Sequence, residues 1–195
     1  MFISVLDLFK IGVGPSSSHT MGPMVAAMQF RRIAEALIHK QNTQLPVTVR
    51  CTLKGSLSYT GRGHATDKAV VLGLHGYSSI DLVSEDVSEL INKIWWTKHI
   101  AGHESITFSA DTDIIFDLGP ALPEHPNGML FDIIDAKGNC VLTRTYFSIV
   151  GKTEAMALAR KYGMEYFEMS AMDENSLGLL FEHTFNSIVA NIPNP

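Results

Sequence analysis

Residues 46–54 have the sequence PVTVRCTLK, in which apolar and polar side chains alternate strictly after the proline. In a strand, the apolar members of such a series point to one side and the polar members to the other. The apolar members here are Val47, Val49, Cys51 and Leu53. Period-two alternation is typical of a strand with one buried face and one face in water, so this stretch predicts a sheet that is covered on one side.

Further helices and strands are predicted on either side of this strand from apolar spacing and turn residues. The predicted helices cover about 21–39, 66–74 and 84–98, and the predicted strands about 105–109, 112–118, 129–135 and 139–149. Gly76 fits the C-cap of the second helix, and Gly138 fits the turn of a hairpin between the last two strands. We therefore expect an α+β fold, with a mixed or antiparallel sheet and helices packed on one face.

The character of the sequence changes after about residue 150. The predicted elements beyond it are a helix over 153–162 that ends at Gly163, a short strand over 164–169 and a long amphipathic helix over 174–191. We expect residues 1–150 to form one domain and residues 151–195 to form a short α-β-α segment that is not a complete domain.

Composition favours a compact protein with a substantial core. The chain has 195 residues, of which 46% are hydrophobic, and a formal net charge of −5. Mild acidity argues against a nucleic-acid surface, and no apolar run approaches the roughly 20 residues that span a bilayer. Cys51 and Cys140 form no CxxC spacing, which fits a reducing cytoplasm. Since an iron–sulfur cluster normally needs three or four cysteines, we expect this chain to hold no cluster or other metal by itself.

The first candidate site is GVGPSSSHTMGP, residues 12–23, at the predicted start of the first helix. It contains Ser16, Ser17, Ser18, His19 and Thr20. The free N–H groups and positive dipole end of a helix favour an anion, and the hydroxyl groups add donors around it. The histidine is then a candidate acid, base or carboxylate donor. The alternative is that one serine caps the helix while the others form a polar loop.

The second candidate site is TGRGHATDKA, residues 60–69. Its glycines let the backbone approach a ligand closely, and His64, Thr66 and Asp67 lie at a predicted helix start. The alternative is an ordinary capped helix, with Thr66 or Asp67 as the cap and His64 in the preceding loop.

The third candidate site is LPEHPNGM, residues 122–129, a rigid loop in which His125 and Asn127 could present polar groups. The alternative is a simple Pro-Asn-Gly turn before the next strand. Because each of the three loops precedes a regular element, all three could line one edge of the sheet. We therefore hypothesise that His19, His64 and Asn127 surround a single ligand.

Other motifs in the chain do not meet the requirements of known sites. GKT at residues 151–153 is not a phosphate-binding loop, because the earlier glycine that it needs would fall on Tyr146. The glycine pairs at 12–14 and 61–63 lack the third glycine of a dinucleotide fingerprint. His99 and His103 stand four apart without the glutamate of a HExxH zinc site.

Four stretches together resemble the small N-terminal (β) domain of bacterial iron–sulfur L-serine dehydratases. They are SVLDLFKIGVGPSSSHTMGPMVAA, GSLSYTGRGHATDKAVVLGLHG, LPEHPNGMLFDI and TRTYFSI, and the resemblance spans about residues 2–149. The resemblance implies an enzyme that converts L-serine to pyruvate and ammonia. In such enzymes a [4Fe–4S] cluster, held by the cysteines of a separate catalytic α domain, binds the substrate hydroxyl. The β domain closes over that site and is similar to the allosteric serine-binding domain of some phosphoglycerate dehydrogenases.

The resemblance also implies roles for the candidate residues. Carboxylate or substrate binding would fall to Ser16, Ser17, Ser18, Thr20, Thr66, His125 and Asn127. Proton handling or orientation, as catalytic groups, would fall to His19 and His64. Expected partners are L-serine or a similar small carboxylate, the cluster-bearing α domain and a second copy in a homodimer, with neither nucleic acid nor membrane.

Residues of about 151–191 depart from that family and resemble the last third of a Rab-like small GTPase, through EAMALARKYG, YFEMSA and ENSLGLLFEHTFNSI. The phosphate loop, the switch regions and the NKxD motif of a GTPase are absent from the sequence, so we expect no nucleotide binding. The leading hypothesis is thus a serine dehydratase domain that is inactive without the cluster domain. The alternatives are a stand-alone regulatory module that binds L-serine or another carboxylate and, as the weaker of the two, a GTPase-like interaction protein.

Overall fold

A computed structural model describes residues 13–14, 16–39, 45–79, 81–150, 152–169 and 186–190 of the chain. The helices are α1 (Met21–His39), α2 (Ser56–Tyr59), α3 (Thr66–Leu74), α4 (Val87–Ile94), α5 (Ala110–Asp113) and α6 (Lys152–Tyr162). The strands are β1 (Val47–Gly55), β2 (His99–Ile100), β3 (His103–Thr107), β4 (Ile114–Phe116), β5 (Asn127–Ile134), β6 (Cys140–Val150), β7 (Glu165–Met169) and β8 (Asn186–Ala190). Single 3-10 turns cover Ser17–His19, Gly61–His64 and Asp81–Ser84.

The strands form a single mixed sheet in the order β2-β3-β1-β5-β6-β8-β7. The strand β4 lies outside this order and pairs with β1 on the same edge as β3, but nearer the end of β1. The strand β1 runs parallel to β3 and β4 and antiparallel to β5. The remaining neighbours are antiparallel. This confirms the predicted α+β class with a mixed, mostly antiparallel sheet.

Burial along β1 follows the predicted alternation. Its inward residues are fully buried and the residues between them are partly exposed. The helix α1 covers the inward face, where the Phe30 ring lies 5.1 Å from the ring of Phe131 on β5. Both α1 and α3 have the bounds that the sequence predicted. Among the described residues, no helix has the length and apolar content that crossing a membrane requires.

The third predicted helix, over 84–98, is shorter in the structure because local hydrogen bonds end it on both sides. The Asp86 carboxylate accepts the Ser88 and Glu89 amides at 2.9 and 3.0 Å, so the helix α4 begins after Asp86. At the other end, the Thr97 hydroxyl donates to the Ile94 carbonyl oxygen at 2.8 Å.

The two strands predicted near 105–109 and 112–118 are also displaced. They cover His103–Thr107 and Ile114–Phe116, and the short helix α5 fills part of the interval between them. The Asp113 carboxylate accepts the Ser109 amide at 2.8 Å, which closes this helical turn and delays the second strand.

The region after residue 150 continues the sheet. The helix predicted over 153–162 and the strand predicted over 164–169 are confirmed as α6 and β7, and Gly163 takes a φ of +64° between them. The helix predicted over 174–191 is wrong at residues 186–190, which form β8, while residues 170–185 lie outside the described part. Ile188 and Val189 are β-branched, and the antiparallel pairing of β8 with both β6 and β7 outweighs their helical spacing.

The helix α6 lies against the sheet face opposite α1. Phe147 and Ile149 of β6 form a small core with Ala155 and Ala159 of α6, whereas the adjacent Tyr146 belongs to the main core under α1. Consecutive residues of a strand point to opposite faces, so the two cores lie on opposite sides of β6. The division of the chain into domains near residue 150 stays a prediction.

Close packing between α1 and α3 predicts that Gly73→Ala destabilises the protein. A Cβ at Gly73 would overlap the Met24 carbonyl oxygen and lie 2.8 Å from the Ala27 Cβ, so the two helices would have to separate. We expect the free energy of unfolding, measured by urea denaturation, to fall by about 1–3 kcal/mol. Gly63→Ala is the control, since a Cβ at Gly63 would meet nothing within 4 Å. Equal denaturation midpoints for the two variants would contradict this packing.

Candidate functional site

Three loops meet at the carboxyl end of β1. We name them the serine loop (residues 16–20), the glycine loop (residues 55–66) and the proline loop (residues 117–127). Just before the serine loop, Gly14 packs so closely on the glycine loop that a Cβ there would overlap the His64 carbonyl oxygen. The Pro126 carbonyl oxygen of the proline loop accepts the Ser56 amide of the glycine loop at 2.9 Å. The three predicted site segments are therefore neighbours in space.

The buried His19 imidazole stands at the centre of this junction, with 9% of the residue exposed. Its Nδ1 lies 3.1 Å from the Ser18 hydroxyl and 3.3 Å from the Ser16 hydroxyl. Its Nε2 lies 3.1 Å from the Ser56 hydroxyl and 3.0 Å from the Thr60 hydroxyl. We name His19 and these four hydroxyl groups the hydroxyl cluster.

Local backbone structure places the hydroxyl groups. In the serine loop, the Ser16 carbonyl oxygen accepts both the His19 amide at 3.0 Å and the Thr20 hydroxyl at 2.8 Å, which holds the turn that leads into α1. In the glycine loop, the Thr60 hydroxyl donates to the Ser56 carbonyl oxygen at 2.8 Å. Ser56 and Thr60 are thus held one helical turn apart, on the side that faces His19.

The hydrogen-bond network assigns the tautomer of His19. The Thr60 hydroxyl hydrogen is committed to the Ser56 carbonyl oxygen, so Thr60 can only accept at the ring and Nε2 must carry the proton. The neutral ring then accepts a hydrogen bond at Nδ1 from Ser16 or Ser18. The Ser16 and Ser18 hydroxyls also lie 3.2 Å apart, so the second hydroxyl of that pair can donate either to the first or to a ligand. The Ser56 hydroxyl keeps a hydrogen that can be donated to a ligand.

The second histidine of the site, His64, lies against His19 with their ring centroids 4.7 Å apart. Its Nδ1 donates to the Thr60 carbonyl oxygen at 2.8 Å, so Nε2 is the nitrogen at which this ring can take up or release a proton. Burial lowers the pKa of His19, the neighbouring His64 lowers it further by charge repulsion, and a contact with the Ser56 backbone opposes the shift. The His19 ring is therefore neutral near pH 7.

The polar groups of His125 and Asn127 bond within the protein rather than to the hydroxyl cluster. The Asn127 amide side chain donates to the Ser148 carbonyl oxygen at 3.0 Å, and its backbone N–H donates to His125 Nδ1 at 3.0 Å. Asn127 pairs with Gly55 in the sheet, directly before Ser56. These hydrogen bonds tie both predicted residues to the proline loop and to β6, and none of them involves the hydroxyl cluster.

Two further predicted residues have contrasting positions. Ser17 is exposed at the middle of the serine loop. Thr66 is fully buried at the first turn of α3, and its hydroxyl oxygen has no hydrogen-bond partner among the described residues. The chain reaches α3 through Ala65, a non-glycine residue with a φ of +59°. Thr66 lies in the same loop as His64, but its hydroxyl contributes no contact to the hydroxyl cluster.

Sequence reasoning missed Ser56 and Thr60, which supply the two hydroxyls at His19 Nε2. Two features of the sequence could have indicated them. Ser56 follows directly on the predicted strand 46–54 and its terminal glycine, and loops at strand ends are frequent positions for functional residues. Thr60 lies four residues later, which places both hydroxyls on one side of a helical turn.

The described residues do not fit an iron–sulfur cluster. Cys51 is fully buried in β1, and its thiol pKa is raised by burial and by the nearby Asp132 carboxylate, so it stays protonated. Cys140 is exposed at the start of β6, in the hairpin at the opposite end of β5 from Asn127. In the part of the chain that the structure describes, no three His, Cys, Asp or Glu side chains group closely enough to hold a metal ion.

Sequence comparisons confirm the resemblance seen over residues 2–149. The serine dehydratase beta chain family matches residues 4–153. L-serine dehydratase from Streptomyces coelicolor is 44% identical over 153 residues, which cover 77% of this chain and 33% of that protein. L-serine dehydratase from Helicobacter pylori strain J99 is 37% identical over 150 residues, with 76% and 32% covered. L-serine dehydratase 1 from Escherichia coli is 36% identical over 152 residues, also with 76% and 32% covered. The chain spans about a third of the length of these relatives.

The contact between the two histidine rings predicts that His64→Phe raises the pKa of His19. Phenylalanine keeps a ring over His19 but removes the positive charge that opposes its protonation. The pKa is measured from imidazole chemical shifts in an NMR titration.

The control for this titration is His103→Phe. His103 Nε2 lies 2.9 Å from the Glu35 carboxylate. Glu35 is roughly 20 Å from His19 along α1, at a rise of 1.5 Å per residue. An unchanged His19 midpoint in the His64 variant, or an equal change in both variants, would contradict the repulsion between the rings.

Proposed function

Because the chain belongs to the serine dehydratase beta chain family, we propose that its hydroxyl cluster binds the carboxylate of L-serine. In this proposal the chain is the part of an L-serine dehydratase that holds and covers the substrate. A separate α domain would hold the [4Fe–4S] cluster, which would supply the Lewis-acid chemistry that activates the substrate hydroxyl. The chain on its own is then inactive as a dehydratase.

The observation that carries this proposal is the arrangement of four hydroxyls from two loops around one neutral imidazole. A carboxylate is an acceptor with two oxygens, so it needs several convergent donors. The Ser56 hydroxyl supplies one, and one serine at Nδ1 supplies a second when its hydrogen turns from the other serine to the ligand. The first bond of α1 joins the Met24 amide to the Thr20 carbonyl oxygen, and the Met21 and Gly22 amides before it have no partner within the helix, while Pro23 has no N–H. The positive end of the helix therefore adds to the attraction.

The two histidines of the site would also take part in removal of the proton from the α-carbon of the substrate, by orienting groups or by holding the proton. In the overall reaction, L-serine loses its α-proton and its β-hydroxyl as water, and the aminoacrylate that remains takes up water to give pyruvate and ammonia. His19 is enclosed by hydroxyls, so its role is to orient them. His64 can take up a proton at Nε2 beside the cluster, which makes it the histidine of this chain suited to hold that proton.

The need for a separate α domain follows from the chemistry of the thiols. Ligation of iron requires thiolates, and the buried Cys51 thiol is held protonated while Cys140 lies apart from it on the hairpin. The hydroxyl cluster carries no soft ligand either. The chain thus offers recognition of the carboxylate and leaves the activation of the substrate hydroxyl to its partner.

Serine binding is tested by isothermal titration of the 195-residue chain with L-serine. We expect saturable binding, and we expect Ser56→Ala to weaken it about tenfold or more, since a hydrogen bond to a charged group contributes about 1.5–3 kcal/mol. Ser109→Ala is the matched control, because the Ser109 hydroxyl binds Lys98 at 3.1 Å on another part of the chain. Titration with L-alanine shows whether recognition requires the hydroxyl of the substrate. A flat L-serine trace would refute the binding site.

Catalytic participation is tested in a chimera. Residues 4–153 replace the matching third of the Streptomyces coelicolor relative, and pyruvate formation is followed with L-serine. We expect an active enzyme whose activity falls with Ser56→Ala and persists with Ser109→Ala. Serine binding by the chain together with an inactive chimera that still contains its cluster would favour the regulatory-module alternative instead.

A further inference from the structure

We propose that Asn127 is a positioning residue, whose side chain holds the proline loop so that Ser56 keeps its hydroxyl at the His19 ring. The role differs from the substrate contact that the sequence predicted for Asn127. It rests on the proposed function only where serine affinity is concerned, because the arrangement around His19 exists without a ligand.

The first link joins the proline loop to β6. The Asn127 side-chain amide donates to the Ser148 carbonyl oxygen at 3.0 Å. Ser148 is fully buried, and it packs so closely under the first turn of α1 that a Cβ at Gly22 would overlap its hydroxyl oxygen. The acceptor of Asn127 is therefore fixed between a strand and a helix start.

The second link joins the proline loop to the glycine loop. The Pro126 carbonyl oxygen accepts the Ser56 amide at 2.9 Å. Gly55 has a φ of +55°, and a Cβ at this position would overlap the same carbonyl oxygen, so the approach depends on glycine. Because Pro126 precedes Asn127 directly, a shift of Asn127 moves the acceptor of Ser56.

The third link is the contact that the substrate site uses. Ser56 places its hydroxyl 3.1 Å from His19 Nε2, and it is the hydroxyl on that side of the ring whose hydrogen is free to donate. A displacement of Ser56 would change the hydrogen bonding of Nε2 and remove a donor from the site. Asn127 thus acts on His19 through two intervening residues.

The donors of Asn127 and the Nδ1 atom of His125 take part in this scaffold. The Asn127 backbone N–H donates to His125 Nδ1 at 3.0 Å, and its side-chain donor binds Ser148. Burial lowers the pKa of His125, although Glu154 opposes the shift, and a neutral ring is what an acceptor at Nδ1 requires. The side chains therefore stabilise the loop that holds Ser56 in place.

The test compares Asn127→Asp with Asn139→Ala. Asn127→Asp keeps the size of the side chain but replaces its donor with an oxygen that faces the Ser148 carbonyl oxygen. Asn139 is the same residue type in the same sheet, but it binds Asp135 at 3.1 Å in the turn at the other end of β5. The readouts are the ¹⁵N shift of His19 Nε2 in the ligand-free chain, the L-serine dissociation constant and the urea midpoint.

A positioning role predicts that Asn127→Asp moves the His19 Nε2 resonance without ligand and weakens serine binding roughly three- to tenfold, as the loss of one hydrogen bond would. Asn139→Ala should leave both unchanged. Weaker serine binding with an unchanged His19 resonance would overturn the proposal in favour of direct substrate contact. Equal resonance changes in both variants would overturn it in favour of general loosening. If L-serine does not bind at all, the proposed function fails, whereas the His19 resonance still decides the positioning role.

Discussion

The junction of the serine and glycine loops depends on the burial of one neutral imidazole. A ring nitrogen that loses its hydrogen bond inside a protein costs about 1–3 kcal/mol, so His19 can be buried only if both nitrogens find partners. The partners at Nδ1 come from the serine loop and those at Nε2 from the glycine loop. The requirement of a single side chain therefore fixes two loops against each other and gives the site its shape.

The close approach of these loops depends on residues that have no side chain at the points of contact. Gly14 meets the backbone of His64, and Gly55 meets the backbone of Pro126. At both points a Cβ would occupy the position of a carbonyl oxygen. Gly14 and Gly55 thus allow the loops to pack backbone against backbone.

The sequence predicted best those features that depend on neighbours along the chain. The alternation over 46–54 and the helical spacing over 21–39 and 66–74 each encode a local period, and the structure follows them closely. It predicted less well what depends on distant partners. The spacing of Ile188 and Val189 fits a helix until the edge of β6 is available for pairing. Ser56 and Thr60 were missed because their contacts with His19 span 37 and 41 residues.

The same alternation sets the surroundings of the Cys51 thiol and leads the chain to the Ser56 hydroxyl. Because side chains alternate between the two faces of the strand, Cys51 points towards the core, where burial keeps its thiol protonated. The strand ends at Gly55, where the chain turns and places the Ser56 hydroxyl next to His19 Nε2. The strand that builds the fold thus keeps a thiol protonated in the core and places a hydroxyl beside the imidazole of the candidate site.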